Sequence, residues 1–110
     1  MSSQNKSWRF ELYVTGESAR SRAALANLER ICSASLGRDY SIRMFDLIEN
    51  PELWRKHQLL ATPAAIRRLP LPERRVIGDM SAAEQVLKGL GIPKPAVPDA
   101  LREMPEVGRG

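Results

Sequence analysis

The chain has 110 residues, enough for one domain with one modest core, and 43% of them are hydrophobic. No apolar run approaches the roughly 20 residues that span a membrane, and residues 1–8 are polar with no signal-peptide core, so the expected location is the cytoplasm. The net charge of +4, carried mostly by arginine, suits carboxylate or phosphate partners, but with 5% aromatics and no helix-turn-helix, zinc-finger or ribonucleoprotein motif a nucleic-acid partner is not expected.

Trp8 to Val14 alternates, with Trp8, Phe10, Leu12 and Val14 on one face, which predicts a strand. Thr15-Gly16 breaks it, and Ser18 is placed to cap a helix. Ala24, Leu25, Leu28, Ile31, Cys32 and Leu36 then recur at helical spacing up to a stop at Gly37. Tyr40 to Asp46 reads as a second strand. Asn50-Pro51-Glu52 reads as cap, first helical residue and dipole-matching acid of a short helix through His57. Ala64-Ala65-Ile66 and Arg75-Val76-Ile77 predict two further strands. Ser81-Ala-Ala-Glu84 has the form of a capping box for a last helix that uses Val86, Leu87 and Leu90. The order is βαβαββα. Residues 1–7 read as a flexible N-terminus, 8–92 as the domain, and 93–110, with four prolines and cancelling charges, as a mobile tail.

The segment from Leu59 to Asp79 is the most informative. Pro63, Pro70 and Pro72 fall within it, and proline donates no ladder hydrogen bond, so this stretch is not plain sheet. Each X-Pro bond is a slow two-state element whose cis form lies only about 0.5–1 kcal/mol above trans. Four guanidiniums, Arg67, Arg68, Arg74 and Arg75, bracket the proline turn. One reading is a docking surface for an acidic partner. The other is a solvated hairpin whose charged edges discourage aggregation.

The strand order, with Thr62-Pro63 leading into the third strand, predicts a thioredoxin-like α/β domain. Redox enzymes of that fold carry a Cys-x-x-Cys pair opposite this proline, where this chain has Gly16-Glu-Ser-Ala-Arg20. The single cysteine, Cys32, lies on the apolar face of the first helix and reads as core filling. His57, the single histidine, has no other histidine or cysteine near it in sequence and reads as an exposed helix-end residue, not a metal ligand. Asp46 and Glu49 flank a turn. No Ser/His/Asp set, phosphate loop or close carboxylate pair stands out, so neither catalysis, a metal nor a cofactor is expected.

Taken together, several pieces resemble the KaiB family of circadian-clock proteins. They are Leu12-Tyr13-Val14 with Gly16, Asp46 with Asn50-Pro51, Leu60-Ala61-Thr62-Pro63, Leu69-Pro70 with Pro72, Arg74-Arg75 with Ile77-Gly78-Asp79, and Gly89-Leu90. They occur in order and at the family's spacing over about residues 8–91. The N-terminal sensory domain of the clock kinase SasA is a looser relative. The resemblance implies a metamorphic protein that exchanges between a thioredoxin-like monomer and a homotetramer or homodimer with its own ground-state fold. It implies binding to the first ATPase domain of a KaiC-like hexameric ATPase, with KaiA or a SasA-like histidine kinase as further partners, and a rearranging half that starts near Asn50. The partner-binding candidates are Arg22, Arg43, Arg67, Arg68, Arg74 and Arg75. The fold-switch candidates are Pro63, Pro70, Pro72 and Gly89. The chain departs from the family pattern at Gly91, where an Asp is common, at Lys94, where an aromatic is common, and at Ala23, with Arg22 one place before the usual arginine. Its tail lacks the acidic run of cyanobacterial members. The rival readings are a thioredoxin-like stress or sensory module with another partner, and a redox protein.

Overall fold

The alternation of Trp8–Val14 makes it a strand, β1, and the following elements fall in the expected order: α1 (Ala19–Leu36), β2 (Tyr40–Asp46), α2 (Glu52–Lys56), β3 (Ala64–Leu69), β4 (Arg74–Ile77) and α3 (Ala83–Leu90). The structure is a computed structural model and describes residues 6–95; the expected tail, beyond 95, and residues 1–5 of the expected flexible N-terminus lie outside the described residues. Lys6 and Ser7 are tied to the α1–β2 turn: Lys6 Nζ donates to the Arg38 carbonyl, and the Ser7 amide donates to Asp39 Oδ1 at 2.8 Å.

The sheet runs β2-β1-β3-β4. β1 and β2 are parallel, which needs a crossover, and α1 supplies it. β3 runs antiparallel to both β1 and β4. The period of two along β1 sorts its side chains between two cores. Phe10, Leu12 and Val14 pack with Ala24, Leu28 and Cys32 of α1 and with Val86, Leu87 and Leu90 of α3. Tyr13 points to the opposite face and packs with Leu47, Leu59, Ala64 and Ile66 beneath the half-buried Leu53 and Trp54 of α2. Among the described residues, the helix over that second face has five residues, none of them fully buried.

Helix ends follow the sequence in part. Ser18 caps α1, its hydroxyl accepting from the Ser21 amide at 3.1 Å, and Gly37 ends it at φ +64°. The capping box at Ser81 does not form. Asp79 Oδ1 takes the Ser81 amide at 3.0 Å, so α3 starts one residue later, after Ala82, with no side-chain cap. Asn50 does not cap α2 either. Its side chain donates to the Asp46 carbonyl at 3.2 Å, and Pro51, not Asn50, precedes the first helical residue.

Candidate partner-binding surface

Strand geometry distributes the four arginines. Neighbours in a strand point to opposite faces, so Arg67 and Arg68 separate, and Arg74 and Arg75 separate in the same way. Arg67 and Arg74 are cross-strand partners in the register. Arg67 turns to the α3 side and is 5% exposed. Its Nη1 donates to the carbonyls of Leu90 at 2.9 Å and Gly91 at 3.1 Å, and its Nη2 to that of Pro72 at 2.7 Å. The guanidinium also sits 5.3 Å from the centre of the Trp8 ring. Burial, then the nearby charge of Arg74, lowers its pKa. Arg67 is thus buried, with its Nη1 and Nη2 used inside the domain to hold the end of α3, and it stands less open to a partner than the docking reading of the four arginines expects.

On the α2 side Arg68 enters a polar network. Its Nε bonds Glu11 Oε1 at 2.7 Å, its Nη1 bonds Glu73 Oε2 at 2.6 Å, and its Nη2 lies 2.9 Å from His57 Nδ1. The Tyr13 hydroxyl donates to Glu11 at 2.6 Å. Burial alone would raise the Glu11 carboxyl, but hydrogen bonds from Tyr13 and Arg68 outweigh it and hold that group below the usual carboxylate range. Burial, then the bond to Glu11, pushes the Tyr13 phenol up to about 12. Arg75 Nη1 donates to the carbonyls of His57 at 2.9 Å and Gln58 at 3.3 Å. His57 is half-buried in this network, which corrects its reading as a plain exposed helix end. The sequence reading missed Glu11, Tyr13 and His57 as one group. The available signal was the period of two in β1, which sets Glu11 and Tyr13 on the face that α2 covers.

Arg22 and Arg43 lie on separate grooves. Arg43 is exposed on β2, 5.3 Å over the Phe45 ring, beside an open groove of about 550 Å³ that Arg9, Ser41 and Arg68 also line. Arg22 lines a second groove of about 720 Å³ between α1 and the end of β2, with Leu25, Met44 and Glu49. Asp46, which also lines it, is structural: its Oδ1 accepts from the amides of Gly16 at 2.8 Å and Ile48 at 2.9 Å.

Three of the fold-switch candidates, Pro63, Pro70 and Pro72, lie in the Leu59–Asp79 segment, and the fourth, Gly89, lies in α3. The Thr62-Pro63, Leu69-Pro70 and Leu71-Pro72 bonds are cis. Gly89 faces β4, where an added Cβ would overlap Val76 Cγ2, so glycine lets helix and strand approach. Gly91 ends α3 at φ +66°, and a Cβ there would lie 2.7 Å from Arg67 Nη1. The Thr15 and Thr62 hydroxyls share a hydrogen bond of 2.9 Å, which sets the Gly16–Arg20 stretch against Thr62-Pro63. In thioredoxin enzymes the reactive thiols occupy this position. The thiol of this chain is elsewhere: Cys32 is fully buried, and burial, then Glu29, pushes it up to about 12. Among the described residues no cluster of His, Cys, Asp and Glu is set to hold a metal ion, and no helix is long and apolar enough to cross a membrane.

The KaiB domain family model matches residues 11–92. The chain belongs to the KaiB family. It is 44% identical over 96 residues to the circadian clock protein KaiB3 of Synechocystis, covering 86% of this chain and 90% of that one. It is 39% identical over 90 residues to the circadian clock oscillator protein KaiB of Synechococcus elongatus, covering 82% and 88%. Its fold is similar to that of the N-terminal domain of Synechococcus elongatus SasA, with a TM-score of 0.64, 19% identity, and coverage of 78% of this chain and 85% of that one. Mitochondrial thioredoxin 3 of Saccharomyces cerevisiae is also similar, at a TM-score of 0.60 and 13% identity over 81% of each chain. Both structural likenesses bear out the thioredoxin-like α/β class for this KaiB family chain.

Proposed function

We propose that this KaiB family protein is a cytoplasmic, non-enzymatic regulator that docks on the first ATPase domain of a KaiC-like hexameric ATPase and modulates its phosphorylation cycle. The observation that carries this reading is the family match over residues 11–92, which includes Arg74-Arg75 with Ile77-Gly78-Asp79. Arg74 and Arg75 are exposed on β4, where guanidiniums suit acidic groups on a partner. Arg22 and Arg43, both exposed, extend the candidate surface; Arg68 contributes less, because Glu11 and Glu73 already neutralise it. In this reading the half of the chain after Asn50, with Pro63, Pro70, Pro72 and Gly89, is the part that rearranges between a thioredoxin-like monomer and a homodimer or homotetramer. KaiA or a SasA-like kinase would compete for or join the complex.

The test follows the phosphorylation of a KaiC-like ATPase over time, with and without this chain. A changed time course supports the proposal, and an unchanged one at saturating chain rejects it. The alternative is a thioredoxin-like stress or sensory module that works without KaiC. That alternative requires a pull-down to recover a partner other than a KaiC-like ATPase.

A further inference from the structure

His57 ends α2 on the thinly covered face of the sheet, and its imidazole is held as a hydrogen-bond acceptor. Arg68 Nη2 lies 2.9 Å from His57 Nδ1. A guanidinium has donors and no acceptor, so this contact is a hydrogen bond only when Nδ1 carries no proton. The Tyr13 ring packs against the imidazole at 5.4 Å between centroids. Behind the ring, Arg75 grips the His57 and Gln58 carbonyls, and Gln58 takes the left-handed region at φ +54°.

The charged groups around His57 come from every element packed there. β3 supplies Arg68, β4 supplies Arg75, α2 supplies Lys56, and β1 supplies Glu11 beside the Tyr13 phenol. Glu73 reaches the group only through Arg68. Three cations thus meet one carboxylate that Arg68 and Tyr13 already engage. Burial, then the Arg68 charge, lowers the imidazole pKa. α2 itself is weakly fastened: it has no fully buried residue and no side-chain cap at its N-terminus.

We propose that His57 is a pH-operated latch for α2. The neutral ring accepts from Arg68 and fastens the end of the helix to the sheet; the protonated ring faces Arg68 as a second cation and frees α2, uncovering the cluster of Tyr13, Leu59 and Ile66. The folded-state pKa lies below the unfolded value of about 6.5, so the unfolded or released ring binds the extra proton. The latch is therefore complete above that value and is lost as pH falls through the folded-state pKa. This inference does not depend on any partner.

Amide hydrogen exchange on the full chain, corrected for intrinsic rates, tests it between about pH 7.5 and about pH 5. Protection across residues 53–59 should fall about fivefold on acidification, the effect of one lost hydrogen bond, while α1 stays constant. The ¹⁵N shifts of His57 should show the proton on Nε2 at neutral pH. His57→Gln keeps an acceptor and cannot titrate, so its α2 protection should be flat over the same range. Should that variant fail to fold, the wild-type tautomer and protection decide. A proton on Nδ1 at neutral pH, or α2 protection that tracks α1 throughout, overturns the latch.

Discussion

Arg67 on β3 caps a helix that starts only after β4: its Nη1 donates to the Leu90 carbonyl at 2.9 Å, where α3 ends. The last carbonyls of a helix have no partners within it, and a buried guanidinium supplies them here. The same group reaches Pro72, so β3, the proline turn and α3 share one side chain.

Arg67→Met should therefore destabilise the folded protein by about 2 kcal/mol, since it leaves carbonyls without their charged donor. Urea unfolding checks this as a lowered midpoint at unchanged slope. A midpoint equal to wild type would mean that water replaces the guanidinium at no cost.

Gly91→Ala probes the same junction from the other side. The added methyl meets Arg67 Nη1 and Arg74, at a backbone angle of φ +66° that alanine disfavours. A loss of about 1–2 kcal/mol is expected in the same assay. Combined with Arg67→Met, the two losses should fall short of their sum, because the residues are in contact.

Gln58→Gly should act in the opposite direction. Gln58 is exposed and holds φ +54°, so glycine relieves about 1 kcal/mol of backbone cost without emptying the core. Thermal unfolding should show a raised midpoint. The other non-glycine residue with positive φ, Met80, is 2% exposed in the core, and Met80→Gly should destabilise instead.

Cys32 should behave as a core atom. With the thiol fully buried and pushed up to about 12, the folded protein should resist alkylation at about pH 8, where an ordinary cysteine reacts readily. Reaction should follow the unfolding transition in denaturant. Rapid labelling of the native protein, or insulin reduction by it, would restore the redox reading.

Much of this was legible in the sequence, for identifiable reasons. β1 and β2 have the predicted bounds, and Ser18 and Gly37 end α1 as read, because alternation and caps are local signals. The capping box at Ser81 failed because Asp79 competes for the Ser81 amide, a contest that spacing alone does not decide. The four arginines were read as one cluster because they bracket one turn. β3 extends to Leu69 and so includes Arg67 and Arg68, and the pleat then sends them to opposite faces. The burial of Arg67 needed the position of α3, and the meeting of His57 with Arg68 needed the fold of α2 over the sheet. Neither is a property of a single segment.

The most direct test of the central claim is gel filtration of the chain with a hexameric KaiC-like ATPase, first in ATP and then in ADP. Co-elution is expected once the nucleotide is ADP. Arg74→Ala with Arg75→Ala should weaken this binding at least about tenfold and flatten its dependence on salt. Separate elution in both nucleotide states, with the chain folded, would contradict that claim.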